Sequence, residues 1–137
     1  MKVLIVEDEA LIALSFAQMA REAGHRVVGI CKTLPDAQAL AATDPPDLAL
    51  VDLRLGDRRC GAKIDLWLNE TYGTLSVYVT ANRGFAYTYR TRAPAFLEKP
   101  VSAATVKQTL RWMEARRRGE EVPPPSRLVL FETAETA

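Results

Sequence analysis

The chain has 137 residues, 48% of them hydrophobic and 26% charged, a composition that supports one globular core and excludes both wholesale disorder and a second folded domain. Eighteen Lys plus Arg against seventeen Asp plus Glu leave a formal net charge of +1, so no global field draws the protein to nucleic acid or to an anionic membrane. Cys31 and Cys60 are too few for a disulfide scaffold and lack zinc-site clustering, and they read as reduced structural thiols in a cytoplasmic protein.

Apolar runs of strand length alternate with segments of helical period. Residues 3–6 are apolar and largely β-branched, the mark of a strand buried on both faces. Glu7 and Asp8 end that run before a signal-peptide core could form, and no later run approaches the roughly 18 residues of a membrane span. Residues 10–23 follow as a helix with Leu11, Leu14, Ala17 and Met19 near a 3.6 period, closed by Gly24 at a C′ position. His25, in the turn beyond it, reads as a simple surface residue.

Residues 26–31 form a second β-branched run. Thr33, Pro35 and Asp36 then supply a cap, a first-turn proline and an N3 acid for a helix over 34–43. Pro45-Pro46 break the chain before a buried strand at 48–52, whose last residue is Asp52, and a polar loop covers 56–61. A third helix is expected over 63–70, a fourth strand over 75–80 and a short fifth strand over 95–97. Ser102 caps a last helix reaching about Arg118, where Arg116, Arg117 and Arg118 complement the helix dipole as a solvated end. Residues 119–125 form a proline-containing linker before an apolar patch at 128–131 that can add to a sheet edge, cover a groove or stay disordered. This predicts one α/β domain over 1–118, a doubly wound five-stranded parallel sheet with helices on both faces, and a tail over 119–137.

In such sheets ligands bind beyond the carboxyl ends of the strands, where strand order reverses. Glu7 and Asp8 follow the first strand and Asp52 ends the third. Like charges a few ångströms apart cost on the order of 4 kcal/mol per pair near a protein surface, so the trio calls for a cation. Oxygen-only ligands in so small a cluster suit Mg²⁺. Thr80 and Lys99, the latter followed by Pro100, stand at two further strand ends and can donate to phosphate oxygens.

These residues resemble a response-regulator receiver domain of two-component signalling, over residues 1 to about 118. Val-Leu-Ile-Val-Glu7-Asp8 is similar to that family's opening strand and acid pair, and Leu-Ala-Leu-Val-Asp52 to its phosphoacceptor strand. Val-Thr80-Ala81 is similar to its switch hydroxyl, and Phe96-Leu-Glu-Lys99-Pro100 to its aromatic switch and Lys-Pro pair. The resemblance implies a flavodoxin-like fold and a phosphoprotein rather than an enzyme acting on a separate substrate. By it, Asp52 takes a phosphoryl group from a sensor histidine kinase or a histidine phosphotransfer protein. Glu7, Asp8, Asp52 and the backbone carbonyl of Arg54 would hold Mg²⁺. Thr80 and Lys99 would bind the phosphoryl oxygens, Phe96 would turn inward as Thr80 moves, and the Lys99-Pro100 bond would be cis.

The span from Thr80 to Lys99 is about three residues shorter than is usual for that family, nearly one helical turn, so the fourth helix is expected to be short, irregular or mobile. Residues after Gly119 are too few for a helix-turn-helix and contain one basic residue, Arg127, so output is expected through a downstream protein target, with homodimerisation open, and not through DNA. A phosphate sink is a further form of the same reading. The rival readings are a degenerate receiver acting as a constitutive interaction or dimerisation module, which the full acid set and Lys99 oppose, and an aspartyl-phosphate hydrolase, which lacks a second acid two residues after Asp52. A nucleotide-binding fold is weaker still, for want of a glycine-rich loop after the first strand.

Overall fold

The computed structural model describes residues 1–55 and 61–131. Its strands are β1 (Lys2–Val6), β2 (Arg26–Cys31), β3 (Leu48–Asp52), β4 (Leu75–Thr80), β5 (Ala95–Glu98) and β6 (Val129–Leu130). Its helices are α1 (Ala10–Glu22), α2 (Leu34–Thr43), α3 (Gly61–Tyr72), α4 (Arg83–Tyr89) and α5 (Ala103–Arg117). The sheet order is β2-β1-β3-β4-β5-β6, with β1 to β5 parallel.

Strand alternation divides the core into two. Val3, Ile5, Leu50, Val77 and Val79 face the apolar sides of α1 and α5, while Leu4, Val6, Val51, Tyr78 and Phe96 face α2, α3 and α4. The expected strands 48–52 and 75–80 and the helix over 34–43 appear with those bounds. The capping Thr33 accepts a hydrogen bond from the Asp36 N–H. Gly24 takes φ +88°, the left-handed conformation that a C′ glycine allows.

Five features depart from the sequence reading. The sheet has six strands rather than five, because β6 from the tail pairs antiparallel with β5, Ala95 opposite Leu130 and Phe96 opposite Val129. Helix α3 begins at Gly61, which therefore belongs to the helix; the rest of the expected loop and Cys60 lie outside the described residues. Leu11 and Leu14 of α1 are 83% and 57% exposed, and the helix instead buries Ala13, Phe16, Ala17 and Ala20. Side-chain size decides this, since three alanines let α1 approach the sheet and α5 more closely than leucines would. His25 is buried, its Nδ1 accepting from the Met1 amine at 3.1 Å and its Nε2 lying 3.7 Å from Glu114, and burial with the charged amine lowers its pKa. Arg117 is no free helix end: it donates to the Gly73 carbonyl and pairs with Asp47.

Helix α4 is short, as expected, and regular. Its N-cap Asn82 accepts from the Phe85 N–H at 3.2 Å, and Ala86 is its buried residue. Among the described residues no helix is long and apolar enough to cross a membrane.

Candidate functional site

Strand order reverses between β1 and β3, so the carboxyl ends of these neighbours bring Glu7, Asp8 and Asp52 together. One carboxylate oxygen from each lies within 4.8 Å of the others. The Glu7 N–H donates to the Cys31 carbonyl, which holds the acid pair at the β1–β2 margin. The Asp52 carboxylate accepts from the Arg54 N–H at 3.1 Å, which fixes its orientation at the end of β3.

Lys99 follows β5, and its backbone N–H donates to the Thr80 carbonyl at 2.8 Å, so the turn into the cis Lys99-Pro100 bond is tied to β4. From there Nζ reaches both Glu7 oxygens, at 3.3 and 3.2 Å, and Asp52 Oδ2 at 3.2 Å. Thr80 is buried at the rim, its hydroxyl accepting from the Asn82 N–H at 3.1 Å and donating to the Asn82 carbonyl at 3.2 Å. Asp8, Glu9, Asp52, Arg54, Thr80, Ala81, Asn82, Phe85 and Lys99 line a cavity of about 480 Å³. The phosphoryl-site residues read from the sequence are thus brought to one cleft. Phe96 lies apart from it, opposite Tyr78 in the β4–β5 register. Its ring is already fully buried, 5.3 Å from Phe131 and 5.5 Å from Tyr87.

The electrostatics favour a cation. Burial, then the Asp52 charge, push the Glu7 carboxyl up to about 7, and Lys99 offsets this only in part. Burial works against the Lys99 ammonium, but the Asp52 and Glu7 carboxylates outweigh it and hold its pKa above the usual lysine value. A pocket that drives one of its own acids toward the neutral form, with oxygen donors only, fits a hard divalent cation of the Mg²⁺ type.

Sequence reasoning missed two features. Asn82 joins the Thr80 hydroxyl to the start of α4, and an N-cap Asn ahead of Phe85 was its signal. Asp65 of α3 is fully buried, with the Tyr78 hydroxyl, the Thr91 hydroxyl and the Arg92 and Ala93 N–H groups around one oxygen. Its signal was its place on the helix face shared with Gly61, Ala62 and Leu68.

The response regulator receiver domain model matches residues 3–111. The chain belongs to the response regulator receiver domain family. The receiver is 31% identical over 125 residues to the phyllosphere-induced regulator PhyR of Methylorubrum extorquens, covering 87% of this chain and 47% of that protein. The solution structure of the Erythrobacter litoralis PhyR receiver domain superposes with a TM-score of 0.73 at 25% identity, covering 91% of this chain and 95% of that one. The crystal structure of a mutant form of PhyR from Bartonella quintana, an anti-anti-sigma factor, gives 0.67 at 31% identity, covering 77% and 45%. The receiver therefore spans about half the length of the full-length relatives it matches.

Gly61 sets a packing limit on the receiver site. A Cβ there would run into the Asp52 carbonyl oxygen and come within 2.8 Å of Leu53 Cα, backbone atoms that cannot swing aside. Gly61→Ala should therefore destabilise the fold by about 2 kcal/mol and displace Asp52. Urea unfolding and the Asp52 and Lys99 NMR resonances check this; an unperturbed variant would show that α3 and β3 can separate freely.

Proposed function

We propose that the chain is a phosphoreceiver in which Asp52 accepts a phosphoryl group from the phosphohistidine of a sensor histidine kinase or phosphotransfer protein. The Lys99 ammonium bridging Asp52 and Glu7 beside Thr80 carries this reading, because it gathers a nucleophile and phosphate-binding groups in one cleft. An Asp52 oxygen attacks phosphorus as the P–N bond breaks, and the departing imidazole takes a proton from solvent. Lys99 and the Thr80 hydroxyl would bind the transferred oxygens, so catalysis is positioning with charge neutralisation and needs no general base. Glu7, Asp8, Asp52 and the Arg54 carbonyl would hold Mg²⁺, whose charge would neutralise the carboxylates and the incoming phosphoryl group.

Partners follow the same geometry. Leu11 and Leu14 stand exposed on α1, and Leu11 lines, with Ile12, Phe16, Met19, Pro100 and Val101, a groove that reaches Lys99, which suits an apolar helix presenting a phosphohistidine. The description of the Bartonella relative as an anti-anti-sigma factor supports a protein as the downstream target.

Incubation with Mg²⁺ and acetyl phosphate, followed by intact mass measurement, tests the reading. The parent should gain one phosphoryl group and Asp52→Asn none. An adduct on neither protein would favour a constitutive interaction module instead.

A further inference from the structure

The C-terminal segment is built into the region that would respond to phosphorylation. Leu128 and Phe131 are buried on opposite faces of the sheet, so the segment wraps the β5 edge rather than lying on it. The Phe131 N–H donates to the Pro94 carbonyl at 2.9 Å. The Phe131 ring sits 5.3 Å from Phe96, 6.1 Å from Tyr78 and 5.5 Å from Tyr87, and the Arg90 guanidinium lies 4.3 Å from its centroid. Tyr87 belongs to α4 and Arg90 is its C-cap, so α4 forms one wall of the Phe131 seat.

The opposite end of α4 is held by the phosphoryl pocket. Asn82 caps the helix, and both its N–H and its carbonyl engage the Thr80 hydroxyl. That hydroxyl has one proton, now donated to the Asn82 carbonyl. It cannot donate at once to that carbonyl and to a phosphoryl oxygen on Asp52. Helix α4 has seven residues and fully buries only Ala86, so the cap that joins its first turn to the Thr80 hydroxyl is a large share of what positions that end of the helix.

We propose that residues 128–131 are a latch over the β5 edge, and that phosphorylation at Asp52 loosens it by drawing the Thr80 hydroxyl away from Asn82 and shifting α4 off Phe131. The inference rests on the phosphoacceptor reading of Asp52. Coupling of this kind is reciprocal: whatever factor phosphoryl binding takes from latch closure, removing the latch returns to phosphoryl binding. Release would uncover the unpaired edge of β5 and the aromatic seat formed by Phe96, Tyr78 and Tyr87.

Amide hydrogen exchange of the full chain, with and without Mg²⁺ and beryllofluoride, reads the latch directly, and ¹⁹F NMR of bound beryllofluoride reports loading of Asp52 independently. Loading should speed exchange of the Phe131 amide about tenfold, while Tyr87→Ala, which removes the α4 ring from Phe131 and lies outside the phosphoryl cleft, should load without that response. Phe131→Ala, and the milder Phe131→Leu, should bind beryllofluoride more tightly, the alanine variant by a comparable factor. A bound fluoride resonance with unchanged or slower Phe131 exchange overturns the latch alone. Absence of any bound resonance overturns the phosphoacceptor reading and the coupling with it.

Discussion

In the absence of divalent cations, stability should fall as pH rises from about 4.5 to about 7, and the fall should be missing from Glu7→Gln. Glu7 titrates near 4.5 when unfolded and near 7 in the fold, because burial and the neighbouring Asp52 charge disfavour its carboxylate. A raised folded value means that the folded protein holds this proton more tightly. Its contribution is fully present below about 4.5 and is lost as pH climbs through about 7. At 1.36 kcal/mol per pKa unit the loss is at most about 3–4 kcal/mol, or roughly 10 °C in Tm for a domain of this size.

Two other groups bear on that window. The lowered pKa of His25 works the other way, adding stability as pH rises toward 6.5, so the parent curve alone understates the Glu7 effect. Lys99, raised above 10.5, keeps its proton throughout. The difference between parent and Glu7→Gln therefore isolates Glu7. Mg²⁺ should stabilise the parent more at pH 8 than at pH 5, where it must displace a proton, and should do little for a protein lacking Asp8. Thermal melts across pH, with and without Mg²⁺, decide this: equal slopes in parent and Glu7→Gln would mean that Glu7 is already ionised in the apo pocket.

What the sequence made legible and what it hid follow a physical pattern. Strands buried on both faces advertise themselves as continuous apolar runs, and the carboxylates, hydroxyl and lysine at their ends need only the strand order to be gathered. Local chemistry likewise placed α2, since Thr33, Pro35 and Asp36 act within one turn. The misreadings are tertiary. Leu11 and Leu14 are apolar at helical spacing, yet α1 turns its alanines inward because a close helix–sheet contact rewards small side chains. His25 is buried by the chain terminus and by α5, neither visible from its own neighbours. The segment 128–131 was visibly β-prone, but its partner became definite only once β5 was known to have an open edge and a phenylalanine seat.

Asp65 is where the connection between β4 and β5 is held, and its removal should cost about 3 kcal/mol. One of its oxygens has the Thr91 hydroxyl at 2.6 Å, the Tyr78 hydroxyl at 2.8 Å, and the Ala93 and Arg92 N–H groups at 3.0 and 3.1 Å. Burial, then the Asp65 charge, push the Tyr78 phenol upward, so it keeps its proton and stays a donor. Thr91 adds a second tie, its N–H donating to the Tyr78 oxygen at 2.8 Å. This cluster pins residues 91–93 to α3 and β4, and thereby fixes where α4 ends and β5 begins. Hydrogen bonds to a charged acceptor contribute about 1.5–3 kcal/mol, and orphaning buried N–H groups adds a penalty of its own. Asp65→Ala should therefore lose about 3 kcal/mol, and Tyr78→Phe, which leaves the carboxylate its other donors, about 1 kcal/mol. Urea unfolding measures both. Exchange of the Arg92 and Ala93 amides should rise in Asp65→Ala beyond what global destabilisation explains, because these are the groups set free. A loss within about 0.5 kcal/mol of the parent would mean that packing of Ala93 and Phe96 alone seats β5, and that the carboxylate only tolerates its burial.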